Sequence, residues 1–153
     1  MRYTFIRPFV DAAQTVLEEV LFERTPVGEP QLSSKTLAGL GVATIVGITG
    51  EADGRLLINM TRESALGIAQ AMNRGDCSEL DALGQDTLAE LTSMITGHAI
   101  STLNDVGHQL RVSPPTILIG ENLTISGLEM ETLVVPLQTT HGEVVVNIAV
   151  RTN

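Results

Sequence analysis

Asp86, Glu90, Ser93 and Gly97 follow one another at intervals of four, three and four residues. On a helix that spacing places all four on one face. Two carboxylates make such a face acidic, serine and glycine keep it small, and the glycine lets a partner approach closely. Leu88, Leu91 and Ile95 point to another side and would anchor the same helix to a core. Physics alone leaves two readings open, an acidic docking face and an ordinary solvated one. Other chemistries find no support. His98, His108 and His141 are dispersed, and no Cys or His pair has metal-ligand spacing, which speaks against a structural zinc. Gly39-Leu40-Gly41 lacks the third glycine of a dinucleotide fingerprint. No phosphate-loop lysine and no Gly-x-Ser-x-Gly elbow is visible.

The elements that must position this face can be read from pattern. Phe9, Ala13, Val16 and Val20 recur at helical spacing and predict a helix from Pro8 to about Arg24, with Pro8 in its first turn and Thr25-Pro26 as its stop. Gly28 to Ser34 reads as loop with room for a short strand. Val42 to Thr49, a turn over Gly50 to Gly54, and Arg55 to Met60 read as a β-hairpin. Thr61 can cap the next helix, striped by Leu66, Ala69 and Met72, with Gly75 just past its end. Ser78 starts the long helix, expected from about Glu79 to Val106 and closed by Gly107. Short strands follow at Gln109 to Ser113 and Thr116 to Ile119, split by Pro114-Pro115. A last hairpin joins Leu133 to Thr139 with Glu143 to Val150 through His141-Gly142.

The two hairpins resemble each other, Gly54-Arg55-Leu56-Leu57-Ile58-Asn59-Met60 against Gly142-Glu143-Val144-Val145-Val146-Asn147-Ile148. Each is preceded at a distance by a helix. We read a duplicated helix-plus-hairpin unit, giving an α/β (α+β) fold of one sheet packed with helices in a single domain spanning residues 1–153.

Composition narrows the partners. The chain has 153 residues, 43% hydrophobic but only 3% aromatic, so its core must be aliphatic. The net charge is −9 and Lys plus Arg number 9, which argues against nucleic acid and anionic membranes as partners. Cys77 is the one cysteine and cannot form an internal disulfide. With no signal-peptide pattern at the first residues and no long apolar run, a cytoplasmic location is expected.

The stretch Glu90-Leu91-Thr92-Ser93-Met94-Ile95-Thr96-Gly97 resembles the signature helix of the CheC/CheX phosphatases. That pattern is Asp or Ser, three residues, Glu, two residues, Asn, and a proline further on. Asp86 and Glu90 fill the first two places, Met94 and Gly97 match the continuation, and Pro115 resembles the downstream proline. Ser93 stands where the asparagine is expected. The likeness extends to Gly47-Ile48-Thr49-Gly50, to Gly54-Arg55-Leu56-Leu57, to Glu63-Ser64-Ala65-Leu66 with Ala71-Met72, and to Leu133-Val134-Val135-Pro136. It covers the chain from about Ile6 to the end.

The resemblance implies a homodimer whose partner is a phosphorylated CheY-like receiver and whose reaction is hydrolysis of the receiver's aspartyl phosphate. It implies that Glu90 pairs with the receiver's active-site lysine and that residue 93 enters the receiver's active site, where an asparagine amide would hold the attacking water. Asp86, Gly97 and Pro115 would help bind. Mg²⁺ would belong to the receiver, so no cofactor is expected in this chain. With serine in place of asparagine, three readings stay open: a phosphatase of reduced efficiency using Ser93 or Thr92, a noncatalytic module that docks on the receiver, and an assembly role like that of flagellar-switch relatives. Asp11 and Gln14 in the first helix, an acid, two residues, then an amide, give a second candidate place for the missing amide.

Overall fold

The computed structural model describes residues 3–33, 37–75, 78–126 and 130–152. Cys77 and Ser34 lie outside them. The first helix, α1, spans Tyr3–Leu21. It starts a full turn before Pro8, because Phe5 and Ile6 are buried at 2% and 0% exposure and their burial outweighs the hydrogen bond that Pro8 cannot donate. It also ends before Thr25: Phe22 takes a φ of 55° and turns the chain away.

Short strands β1 (Gln31–Ser33) and β2 (Leu37–Ala38) lead into the hairpin β3 (Gly41–Gly50) and β4 (Ala52–Thr61). The turn is tighter than the pattern predicts, since Gly54 already pairs with Ile48. Helix α2 (Arg62–Met72) follows with its predicted cap, the Thr61 hydroxyl accepting from Ser64 N at 3.1 Å. Its buried stripe is Ala65, Ile68 and Ala69, and Leu66 is only half-buried. Helix α3 spans Ala82–Asp105. Its cap is Asp81 instead of Ser78, with the Asp81 carboxylate accepting from Gly84 N at 3.0 Å. Gly107, at φ 94°, closes it as expected. Strands β5 (Leu110–Val112), β6 (Thr116–Ile119), β7 (Thr124–Ile125), β8 (Thr132–Thr139) and β9 (Gly142–Thr152) complete the chain.

The main sheet is antiparallel in the order β1-β8-β9-β4-β3-β5, with β6 also on β3; β2 and β7 pair separately. The duplication expected from the hairpins governs this topology. If β4 corresponds to β9 as Gly54 does to Gly142, the pair Leu57↔Asn147 maps onto Asn59↔Val145, which is present, and Ile58↔Val146 maps onto itself. Strand β1 crosses to the second hairpin at β8, and β6 crosses back to the first at β3. The edge strands are thus exchanged between the two halves. Helices α1 and α3 pack against one another over a core that takes in Phe9, Val16, Leu88, Leu91 and Ile95 together with Val46, Leu56, Val146 and Ile148.

Candidate functional site

Helix α3 turns Leu88, Leu91 and Ile95 inward, each 1% exposed, as the apolar spacing requires. Thr87, Thr92 and Thr96 are also buried, and each hydroxyl donates to a carbonyl one turn back: Leu83, Leu88 and Thr92 respectively. The opposite face is open. Asp86, Glu90, Ser93 and Gly97 are all exposed, and the structure brings them together along one side of the helix. Among the described residues no hydrogen bond or ion pair engages the side chains of Asp86, Glu90 or Ser93. Among the described residues a Cβ built on Gly97 would meet nothing within 4 Å, so its lack of a side chain serves no packing with them.

Thr92 is not available to a partner. It is 1% exposed, and its hydroxyl lies 2.7 Å from that of Thr44 in β3. Since Thr92 gives its proton to Leu88 O at 2.9 Å, Thr44 donates in this pair. The expectation that Thr92 can stand in for the asparagine is therefore overturned, because a buried, doubly bonded hydroxyl cannot reach a second protein. Thr92 instead pins α3 to the sheet beneath Ser93 and fixes which residues face outward.

Gln14 also has an internal role. The buried positions Phe9, Ala12, Ala13, Val16 and Leu17 of α1 align with Leu88, Leu91, Thr92, Ile95 and Thr96 of α3, which puts Asp11 at the place of Glu90 and Gln14 at that of Ser93. Gln14 Nε2, however, donates to Thr25 O at 3.0 Å, and Glu18 accepts from Thr25 N at 3.0 Å. The chain after α1 folds back over this face, with Thr25 fully buried. Asp11 is exposed and lies 3.6 Å from Arg7. The amide that sequence spacing offers as a second site is thus committed to holding a loop, while the matching face of α3 stays uncovered.

Pro115 sits in the link between β5 and β6, partly buried. Both strands pair with β3, and Ser113 bridges the gap by donating its N–H to Gly47 O at 2.9 Å and accepting from Gly47 N at 2.8 Å through its hydroxyl. Two prolines cannot donate to a ladder, so they interrupt this edge of the sheet. A groove between the helices extends the open face: Val16 and Glu19 of α1 line it together with Ser93, Met94, Gly97 and His98 of α3. Sequence spacing misses this contribution of α1, because it arises only from helix packing. Among the described residues no three His, Cys, Asp or Glu side chains gather as a metal site. No helix among them is long and apolar enough to cross a membrane.

Comparison with known proteins agrees with this fold. Residues 42–138 match the family model described as chemotaxis phosphatase CheX. The CheY-P phosphatase CheX of Thermotoga maritima is 27% identical over 121 residues, covering 78% of each chain. Among solved structures, the chemotaxis protein CheX of Desulfovibrio desulfuricans superposes with a TM-score of 0.87 at 27% identity, covering 97% of this chain and 99% of that one. The CheX of Borrelia burgdorferi, solved as a CheX–CheY–BeF3–Mg²⁺ complex, gives 0.82 at 34% identity and covers 96% and 97%. With its topology, its open α3 face and a family match over more than half its length, the chain belongs to the CheX family of chemotaxis phosphatases.

Proposed function

We propose that this chain docks on a phosphorylated CheY-type receiver through α3 and promotes hydrolysis of the receiver's aspartyl phosphate. The observation that carries the proposal is the uncommitted row of Asp86, Glu90, Ser93 and Gly97 on a helix whose other side is pinned to the sheet. It stands in a chain 34% identical to a CheX solved together with CheY. Glu90 meets a lysine beside the phosphoryl group, Asp86 and Gly97 lie in the contact, and Ser93 reaches toward the attacking water. An aspartyl phosphate is already reactive, so a helper contributes positioning and electrostatics, with no covalent step of its own. The Mg²⁺ is the receiver's. The chain works in the cytoplasm as a homodimer.

Ser93 sets the rate. A hydroxyl reaches less far than an asparagine amide, and loss of one well-placed polar group from a transition state costs about 3 kcal/mol, on the order of a hundredfold in rate. The burial of Thr92 and the engagement of Gln14 remove two groups that could compensate. These same observations favour a second reading, in which the chain binds the phosphorylated receiver and does not hydrolyse it.

The deciding experiment follows phosphoryl label on a CheY-type receiver encoded with this chain, using wild type, Ser93→Asn and Glu90→Lys. Faster loss with wild type, a further rise on the order of a hundredfold with Ser93→Asn, and no acceleration by the Glu90→Lys variant would support the phosphatase. Phosphorylation-dependent binding without faster loss would select the second reading. Undiminished binding by Glu90→Lys would remove α3 as the docking face.

A further inference from the structure

Phe22 directly follows α1 with φ 55°, in the left-handed region. Helices often end on such a residue, but it is usually glycine or asparagine, since a Cβ there crowds the following carbonyl. Arg74 and Asn122 are the other non-glycine residues with positive φ among those described, and both are polar. Phe22 is an aromatic with 93% of its surface exposed among the described residues. Scattered exposed apolar residues are ordinary. An aromatic that is both strained and fully exposed, on a firmly held bend, is not.

The bend is fixed by the residues that follow Phe22. Glu23 accepts from Thr140 N at 2.9 Å and from the Thr140 hydroxyl at 2.7 Å, and Thr25 is tied to Gln14 and Glu18. Its place along the helices follows from their packing. Phe5, near the start of α1, meets His108, just past the end of α3, with ring centroids 4.8 Å apart, whereas Val16 shares a groove with Ser93, so α1 and α3 run antiparallel. Three residues beyond Glu19, at about 1.5 Å each, bring the chain toward the level of Glu90.

We infer that Phe22 is an aromatic anchor for the phosphorylated receiver, seating in an apolar recess of that partner beside the cation that Glu90 meets; this rests on the docking reading above. A rigid aromatic at the margin of a charged contact needs little ordering on binding and is the residue type that dominates interface energies. A second copy of this chain is a poor occupant, because Glu19, Asp86 and Glu90 are all exposed around the same face and would meet their own like charges.

The test compares wild type, Phe22→Gly, Phe22→Tyr and Glu90→Lys for affinity to the receiver loaded with BeF3 and Mg²⁺, with thermal unfolding and sedimentation of each. Glycine suits φ 55°, so Phe22→Gly should melt at or above the wild-type temperature. It should bind the receiver at least tenfold more weakly, and Phe22→Tyr should retain affinity. If Phe22→Gly binds like wild type while Glu90→Lys does not, the anchor is refuted and the docking face stands. A change in self-association with unchanged receiver affinity also refutes it. If wild type itself shows no binding, the docking reading fails and takes the anchor with it.

Discussion

Gly97→Ala separates the needs of the fold from the needs of the partner. Gly97 lies inside the 24-residue helix α3, where glycine is about 0.5–1 kcal/mol less favourable than alanine. Because a Cβ there meets nothing within 4 Å, no clash offsets the gain. Alanine should therefore stabilise the chain by nearly the full amount, raising the melting temperature by about 1–4 °C for a domain of this size. The same methyl enters the surface on which the receiver is to lie. An inserted methyl in a close contact costs about 1–3 kcal/mol, so receiver affinity should fall roughly fivefold to a hundredfold or more. Calorimetry of the free protein and titration with the BeF3-loaded receiver read the two effects independently. A variant that melts higher and binds equally well would show that the receiver does not approach Gly97. A variant that melts lower would refute the reading of open space around it.

The remaining predictions concern the supports of this face. Gln14→Ala should lower stability by about 1–2 kcal/mol, by leaving the buried Thr25 carbonyl without its donor, and should leave dephosphorylation unchanged; a loss of activity at constant stability would restore Gln14 as a site residue. Thr25→Val should leave the urea midpoint unchanged or raised, since the Thr25 hydroxyl is buried without a partner among the described residues; a lowered midpoint would argue otherwise. Glu51 is held below its ordinary value of 4.5 by the Gln109 N–H and then by His108, and Glu23 likewise by the Thr140 N–H and then its hydroxyl. Carboxylates more acidic in the folded state contribute stability above pH 4.5 that disappears as pH falls through their lowered values. The Glu23→Gln, Glu51→Gln double variant should accordingly show a shallower acid limb in unfolding titrations, and an unchanged limb would count against both pairings.

Much of the fold is legible in the amino-acid sequence. The periodicity of α1 and α3, both hairpins and the Thr61 cap follow from apolar spacing and side-chain chemistry, and the likeness of Gly54–Met60 to Gly142–Ile148 announces the duplication. Boundaries shift where tertiary burial outweighs local signals. Phe5 and Ile6 carry α1 back through Pro8, and Asp81 displaces Ser78 as the cap of α3. Strands β2 and β7, two residues each, carry too little pattern to be seen. Asn59, matched between the hairpins, has a role only contacts reveal: its amide donates to Ala38 O at 3.0 Å and accepts from Leu40 N at 2.9 Å, clamping the approach to β3. At the candidate site, spacing alone places Asp86, Glu90, Ser93 and Gly97 on one open face. It cannot tell that Gln14 and Thr92 are engaged, because their partners, Thr25 and Thr44, lie elsewhere in the chain.

The exchange of edge strands has a consequence for how the protein comes into being. Strand β1, completed early in synthesis, has no partner until β8 arrives, since Gln31 pairs with Val134. Such distant pairings make folding slow and nearly all-or-none, because loop closure is costly before any contact compensates. The helix proposed to dock, α3, belongs to the second half of the chain, yet the hydroxyl that fixes its rotation, on Thr44, belongs to the first. A nascent or half-folded chain therefore carries the acidic residues without the platform that aims them, and the surface proposed to face the receiver is an attribute of the finished molecule alone.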